Sequence, residues 1–193
     1  MINTEIIGLT YDYDLINLEN LTKTLQENSI IIEIGAFCGR TTYVFSKNCK
    51  KGTKIYSIDT WKTENKNPIQ QRVFKEFSIP EDFKLSFSHF QDTLTKYNLQ
   101  NVIPLEMVSP PEKWENEDYD LIFFDGDHSF KGLAKDIFFW IKHCKPNAII
   151  CGHDYGTLNG VTTAVNLVAN ELKYKLEVLG SIWIFKEINV LSK

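Results

Sequence analysis

Short apolar runs alternate with helical stripes along most of this chain. Ser29-Ile30-Ile31-Ile32-Glu33-Ile34 is β-branched, ends at Gly35 and is too short for a helix, so it reads as a buried strand. Similar runs occur at Lys54–Ile58 before Asp59, Asn101–Leu105, Tyr119–Phe124 before Asp125, and Ala148–Cys151 before Gly152. Between them, Leu15, Leu18, Leu21 and Leu25 share one helical face. Phe130, Leu133, Ala134, Ile137, Phe138, Ile141 and Cys144 recur at helical spacing until His143 and Lys145 meet Pro146, a helix stop. Asn159 and Gly160 open another helix through Val161, Ala164, Val165, Val168 and Leu172. The end of the chain differs: Lys175–Leu179, Gly180-Ser181 and Ile182–Phe185 have the spacing of a tight antiparallel hairpin.

Strands that alternate with helices predict a mostly parallel α/β sheet covered on both faces. The seven runs would make a seven-stranded sheet with an antiparallel hairpin at its end. Ligands of such sheets bind beyond the carboxyl ends of the strands. The polar residues of interest, Glu33 to Gly35, Asp59, Asp125 to His128 and His153-Asp154, all fall at those ends. We read residues 1–193 as one domain, with 1–28 a helical cap and 61–100 a helical insertion on the acceptor side. In that insertion, Asn67-Pro68 is expected to start a helix carrying Ile69, Val73, Phe74 and Phe77. Pro80 is expected to start another with Phe83, Phe87, Phe90, Leu94 and Tyr97.

Composition narrows the classes. Twenty-one Lys and Arg against 25 Asp and Glu give a net charge of −4, which argues against a nucleic-acid partner bound by phosphate neutralisation. No apolar run approaches the ~18 residues of a membrane span, and no basic-then-apolar leader is seen. Cys38, Cys49, Cys144 and Cys151 show neither CxxC pairing nor zinc spacing, and are expected as buried thiols of a reducing, cytoplasmic setting. Thirteen Phe, eight Tyr and four Trp read first as core.

The stretch Glu33-Ile34-Gly35-Ala36-Phe37-Cys38-Gly39-Arg40-Thr41-Thr42 follows the first strand directly. Gly35 permits a sharp turn, and the helix after Gly39 offers free N–H groups to an anion. Its Gly-x-x-x-Gly spacing departs from GxGxxG, which disfavours a dinucleotide. The stretch resembles the first motif of class I S-adenosylmethionine-dependent methyltransferases, in particular catechol-type O-methyltransferases. Asp125-Gly126-Asp127-His128-Ser129-Phe130 and Gly152-His153-Asp154-Tyr155 resemble the signature of the type 24 methyltransferase domain family. The resemblance implies a Rossmann-like fold and S-adenosylmethionine as cofactor. It implies that Gly35, Ala36, Phe37 and Gly39 pack on the methionine part, with Glu33 beneath. Thr41 would bond its carboxylate, and Asp59 the ribose hydroxyls. Thr60, Trp61 and Ser109 would line the adenine side, and Asp125 and His128 would adjoin the cofactor. A side chain at Gly39 is expected to block the ligand and spare the fold.

The remaining acids and histidines carry two readings. Carboxylates at neighbouring strand ends stay ionised beside a cation or donors, and oxygen ligands favour Mg²⁺ or Mn²⁺. In related metal-dependent O-methyltransferases the matching positions are Asp125, His153 and Asp154. The other reading makes His128 or His153 a general base for an acceptor hydroxyl, with Asp125 assisting. Both histidines also suit plain backbone capping. The expected activity is O-methylation of a small molecule or sugar. The alternatives are a nucleotide-dependent oxidoreductase and a non-catalytic methyltransferase-like module. A homodimer is left open.

Overall fold

The computed structural model describes residues 3, 5–62 and 68–187. Five strands run parallel in the order β3-β2-β1-β4-β5, and β7 and β6 complete a seven-stranded sheet. They are β1 (Ile30–Ile34), β2 (Lys54–Asp59), β3 (Val102–Glu106), β4 (Tyr119–Phe124), β5 (Cys144–Gly152), β6 (Tyr174–Leu179) and β7 (Ile182–Glu187). β7 lies antiparallel to both β5 and β6, and its pairing with β6 is the hairpin that the terminal spacing predicted. Among the described residues six helices surround the sheet: α1 (Asp12–Thr24), α2 (Arg40–Asn48), α3 (Pro68–Glu76), α4 (Phe87–Lys96), α5 (Phe130–Trp140) and α6 (Asn159–Leu172). Among the described residues no helix is long and apolar enough to cross a membrane.

The two-residue period of β1 sorts its side chains between two cores. Ile30, Ile32 and Ile34 face Leu133, Ile137 and Trp140 of α5 and Val165 and Val168 of α6. Ile31 faces Leu15 and Leu18 of α1, Val44 and Phe45 of α2 and Phe90 of α4. Burial on both faces is why the run reads as continuously apolar instead of alternating. Only Glu33 breaks it.

Several expected boundaries move, each for a local reason. α5 ends at Trp140, a single 3₁₀ turn spans Ile141–His143, and β5 already begins at Cys144. Pro146 therefore lies inside β5, where the ladder to β4 shifts register between Tyr119 and Leu121 and Asn147 takes a left-handed φ of 65°. α4 starts at Phe87 and not at Pro80: the turn closed by Phe83 N–H to Pro80 O does not propagate. α3 does start at Pro68, while Asn67 lies outside the described residues. Cys38 and Cys151 are buried, and Cys49 and Cys144 only half-buried; all four are free.

Candidate active site

The chain runs outward from β1 through β2 to β3, then returns to the other side of β1 as β4. That reversal opens a crevice at the carboxyl ends of β1 and β4, the usual ligand position in such sheets. Gly35 sits there with φ 87°, and its N–H donates to Ile58 O at 2.8 Å. Asp125 N–H donates to Ile34 O at 2.8 Å, so the tips of three strands are tied together.

The turn after β1 is held from the tip of β2. Asp59 Oδ2 accepts from Phe37 N–H at 2.9 Å and Oδ1 accepts from Trp61 N–H at 2.8 Å. Trp61 Nε1–H donates back to Phe37 O at 2.8 Å. Trp61 is 4% exposed and its ring packs on Phe87 and Phe90, so it clamps this turn; adenine would meet little of its surface. Thr60 is half-buried between Asp59 and Trp61. Ala36 is buried, and Phe37 packs on Phe74 and Phe83. Gly39 caps α2 in a left-handed conformation without a side-chain oxygen. A Cβ there would stand 3.1 Å from Thr93 and 3.2 Å from Phe90. A side chain at Gly39 would press on α4 and strain a backbone held at φ 89°, so the expectation that it would spare the fold is corrected.

Glu33 is fully buried below this turn. Its Oε2 accepts from Thr42 Oγ1–H at 2.5 Å and Ser57 Oγ–H at 2.7 Å, with Thr41 beside them. Its Oε1 has no partner. Burial raises the carboxyl to about 7 against the pull of those hydrogen bonds. From 4.5 to about 7 the folded protein then holds a proton that the unfolded chain has lost, so stability falls as pH rises through that window. Glu33→Gln should remove the fall. Urea unfolding should show the variant gaining roughly 3 kcal/mol on wild type from acid to mildly alkaline pH. A pH-independent difference would contradict a protonated buried acid.

At the ends of β4 and β5 the expected cluster forms with a changed membership. Ligand atoms of Asp125, His128 and Asp154 lie within 4.8 Å of one another. His128 Nε2 is 3.0 Å from Asp154 Oδ2 and 3.4 Å from Asp125 Oδ1. His153, expected among the metal ligands, is 6% exposed and turned inward, its Nε2 lying 3.2 Å from Asp14 Oδ2 of α1. Its Nδ1 faces Asp125 at 3.6 Å and Asp154 at 3.5 Å. Asp14 was not legible as a site residue. The available signal was an acid on the buried face shared by Leu15, Leu18 and Thr22.

Burial alone would lower both imidazole pKa values, but the carboxylates outweigh it and raise both, so each ring is an imidazolium near neutral pH. Solvent reaches 40% of the His128 side chain and screens part of that pull. For Asp154, burial pushes upward and the bond to His128 prevails, holding the carboxyl low. A charged imidazole has no free lone pair, which weakens the expected general-base role of His128 and His153. Asp127 instead accepts from Ser129 N–H at 2.8 Å at the start of α5. Ser109, expected near adenine, bonds Asp136 at 2.6 Å and accepts from Trp140 Nε1–H at 2.9 Å, which ties the loop after β3 to α5.

These groups fit S-adenosylmethionine. A bare helix N-terminus suits its carboxylate, an orphaned buried Glu33 oxygen suits its amino end, and Asp59 retains lone pairs for a diol. The comparisons with known proteins agree. An uncharacterised protein of Acanthamoeba polyphaga mimivirus is 25% identical over 190 residues, spanning 93% of this chain and 80% of that one. The precorrin-6y C5,15-methyltransferase of Geobacter metallireducens superposes with a TM-score of 0.66 at 18% identity, covering 96% of this chain and 90% of that one. The O-methyltransferase TomG of Streptomyces achromogenes, involved in tomaymycin synthesis and solved with S-adenosylmethionine, gives 0.62 at 12% identity, covering 91% and 80%. The O-methyltransferase NovP gives 0.68 at 11% identity, covering 92% and 80%. At such identities these structures establish the fold. The profile of the methyltransferase domain numbered type 24 matches residues 32–155, from β1 to the turn after β5, and the chain belongs to that family of class I S-adenosylmethionine-dependent methyltransferases.

Proposed function

We propose that the protein methylates a hydroxyl oxygen of a small molecule, with Asp125, His128 and Asp154 activating that hydroxyl. The observation that carries this reading is the meeting of those three side chains at the ends of β4 and β5, where the Asp125 backbone lies against Gly35. Bound S-adenosylmethionine supplies a methyl carbon on a sulfonium, from which an acceptor oxygen displaces the thioether in line. The turn from Gly35 to Gly39 and Asp59 hold the donor, which supplies the positioning on which such a displacement depends. The exposed ring of Tyr11 lies 4.9 Å from Phe77, and Phe74 packs on Phe37 of the turn after β1, so these rings suit a compact acceptor. The O-methyltransferases TomG and NovP support oxygen as the acceptor atom, and the precorrin enzyme shows that this fold also serves other methylations.

Two carboxylates and an imidazole within 4.8 Å are the set that would hold a divalent cation such as Mg²⁺ or Mn²⁺. Such an ion would lower the hydroxyl pKa, and His128 would give up its proton to bind it. Without an ion, Asp125 and Asp154 remain as acceptors of the hydroxyl proton. The test is conversion of S-adenosylmethionine to S-adenosylhomocysteine over a panel of phenols, catechols and sugars. Turnover should stop with a chelator and return with Mg²⁺ or Mn²⁺. Asp154→Ala should lower it by ~10²–10⁴ while S-adenosylhomocysteine still binds. Full activity after chelation, with no metal by elemental analysis, would leave the carboxylates alone as activators. Binding without turnover on any acceptor would favour a non-catalytic module.

A further inference from the structure

One buried ion pair behind the trio joins parts of the chain 139 residues apart. α1 buries Asp14 alongside Leu15, Leu18 and Thr22, placing a carboxylate in an apolar layer. There its Oδ2 lies 3.2 Å from His153 Nε2, and its Oδ1 accepts from Ser181 N–H at 3.0 Å. The β6–β7 turn is shaped around it: a Cβ on Gly180 would stand 2.4 Å from Asp14 Oδ1. Capping Ser181 alone would not require a charge, and a neutral oxygen would do it at lower desolvation cost.

We propose that Asp14 is a positioning residue of the active site, holding His153 by Nε2 so that Nδ1 stands between Asp125 and Asp154 and fixes their spacing. This rests on the reading of Asp125, His128 and Asp154 as the activating set. His153 is anchored at its other end by its own N–H, which donates to Phe124 O at 3.0 Å. With backbone and Nε2 both held, the ring cannot turn. Its Nδ1 edge then sets where Asp125 Oδ1 and Asp154 Oδ1 stand, at 3.6 and 3.5 Å. Thr157 Oγ1–H holds Asp154 Oδ1 from the solvent side at 2.9 Å, and His128 takes Oδ2. Without Asp14 the ring would be free to rotate and the two carboxylates to drift apart. Outer partners of this kind commonly matter ~10–100-fold.

The first test reads the protein without ligand or turnover. In nitrogen-15 spectra, wild type should show a protected His153 Nε2–H resonance. Asp14→Ala should abolish it and also shift the ring resonances of His128, which Asp14 does not touch. Asp14→Asn offers one acceptor oxygen to the two donors His153 Nε2–H and Ser181 N–H, so it should keep both signals only in weakened form. The second test is kinetic: Asp14→Ala should lower kcat by ~10–100-fold with unchanged affinity for S-adenosylhomocysteine. Asp14→Asn should fall between wild type and Asp14→Ala, and Asp14→Ala should add little in a His153→Gln background. A mere turn-holding role would lower the melting temperature, leave His128 resonances and kcat in place below that temperature, and overturn the proposal. If Asp154→Ala is itself fully active, the activating set is wrong; if Asp154→Ala is inactive and Asp14→Ala is not, only this proposal falls.

Discussion

Gly35→Ala should destabilise the protein by on the order of 3 kcal/mol or more, the largest stability effect expected of any one-carbon change here. An added Cβ would stand 2.1 Å from the Asp125 carbonyl oxygen and 2.4 Å from its carbon. Neither atom can give way, because Asp125 N–H is bonded to Ile34 O at 2.8 Å and the tips of β1 and β4 are thereby locked. The φ of 87° adds strain that only glycine avoids. Equilibrium urea unfolding measures the loss. A midpoint within a few tenths of a molar of wild type would mean that the strand tips are not packed this closely.

Asp59→Ala should weaken binding of S-adenosylhomocysteine by about 1.5–3 kcal/mol, or roughly 10- to 150-fold. Two losses combine. The carboxylate that accepts from Phe37 N–H and Trp61 N–H disappears, leaving the turn after β1 unheld. The lone pairs proposed for the ribose diol go with it. Asp59→Asn keeps one oxygen acceptor and should fall between wild type and Asp59→Ala in calorimetry. Equal affinity in all three proteins would place the cofactor elsewhere.

Much of the fold was legible because β1, β2 and β4 are apolar runs whose two-sided burial leaves no ambiguity about a parallel sheet. The hairpin was legible from Gly180-Ser181 between two β-rich runs. The start of β5 was not, since Asn147 adopts a conformation more typical of glycine and Pro146 reads as a helix stop. Strand-end placement exposed Asp59, Asp125, His128, His153 and Asp154 as candidates from sequence. Their division of labour was not visible, because it depends on which way a ring turns. His153 turns inward, towards Asp14 contributed by α1. Gly39 likewise looked like space for a ligand, whereas α4 occupies the space beside it.

The central claim is a cofactor cradle for S-adenosylmethionine at the crevice between β1 and β4. The most direct measurement is thermal unfolding with S-adenosylhomocysteine, NAD and NADP side by side. At a hundred times its Kd, a ligand confined to the native state adds ~2.7 kcal/mol, worth roughly 5–11 °C for a chain of this size. S-adenosylhomocysteine should produce that shift and the nicotinamide cofactors none. Stabilisation by NAD or NADP without a shift from S-adenosylhomocysteine would contradict the account.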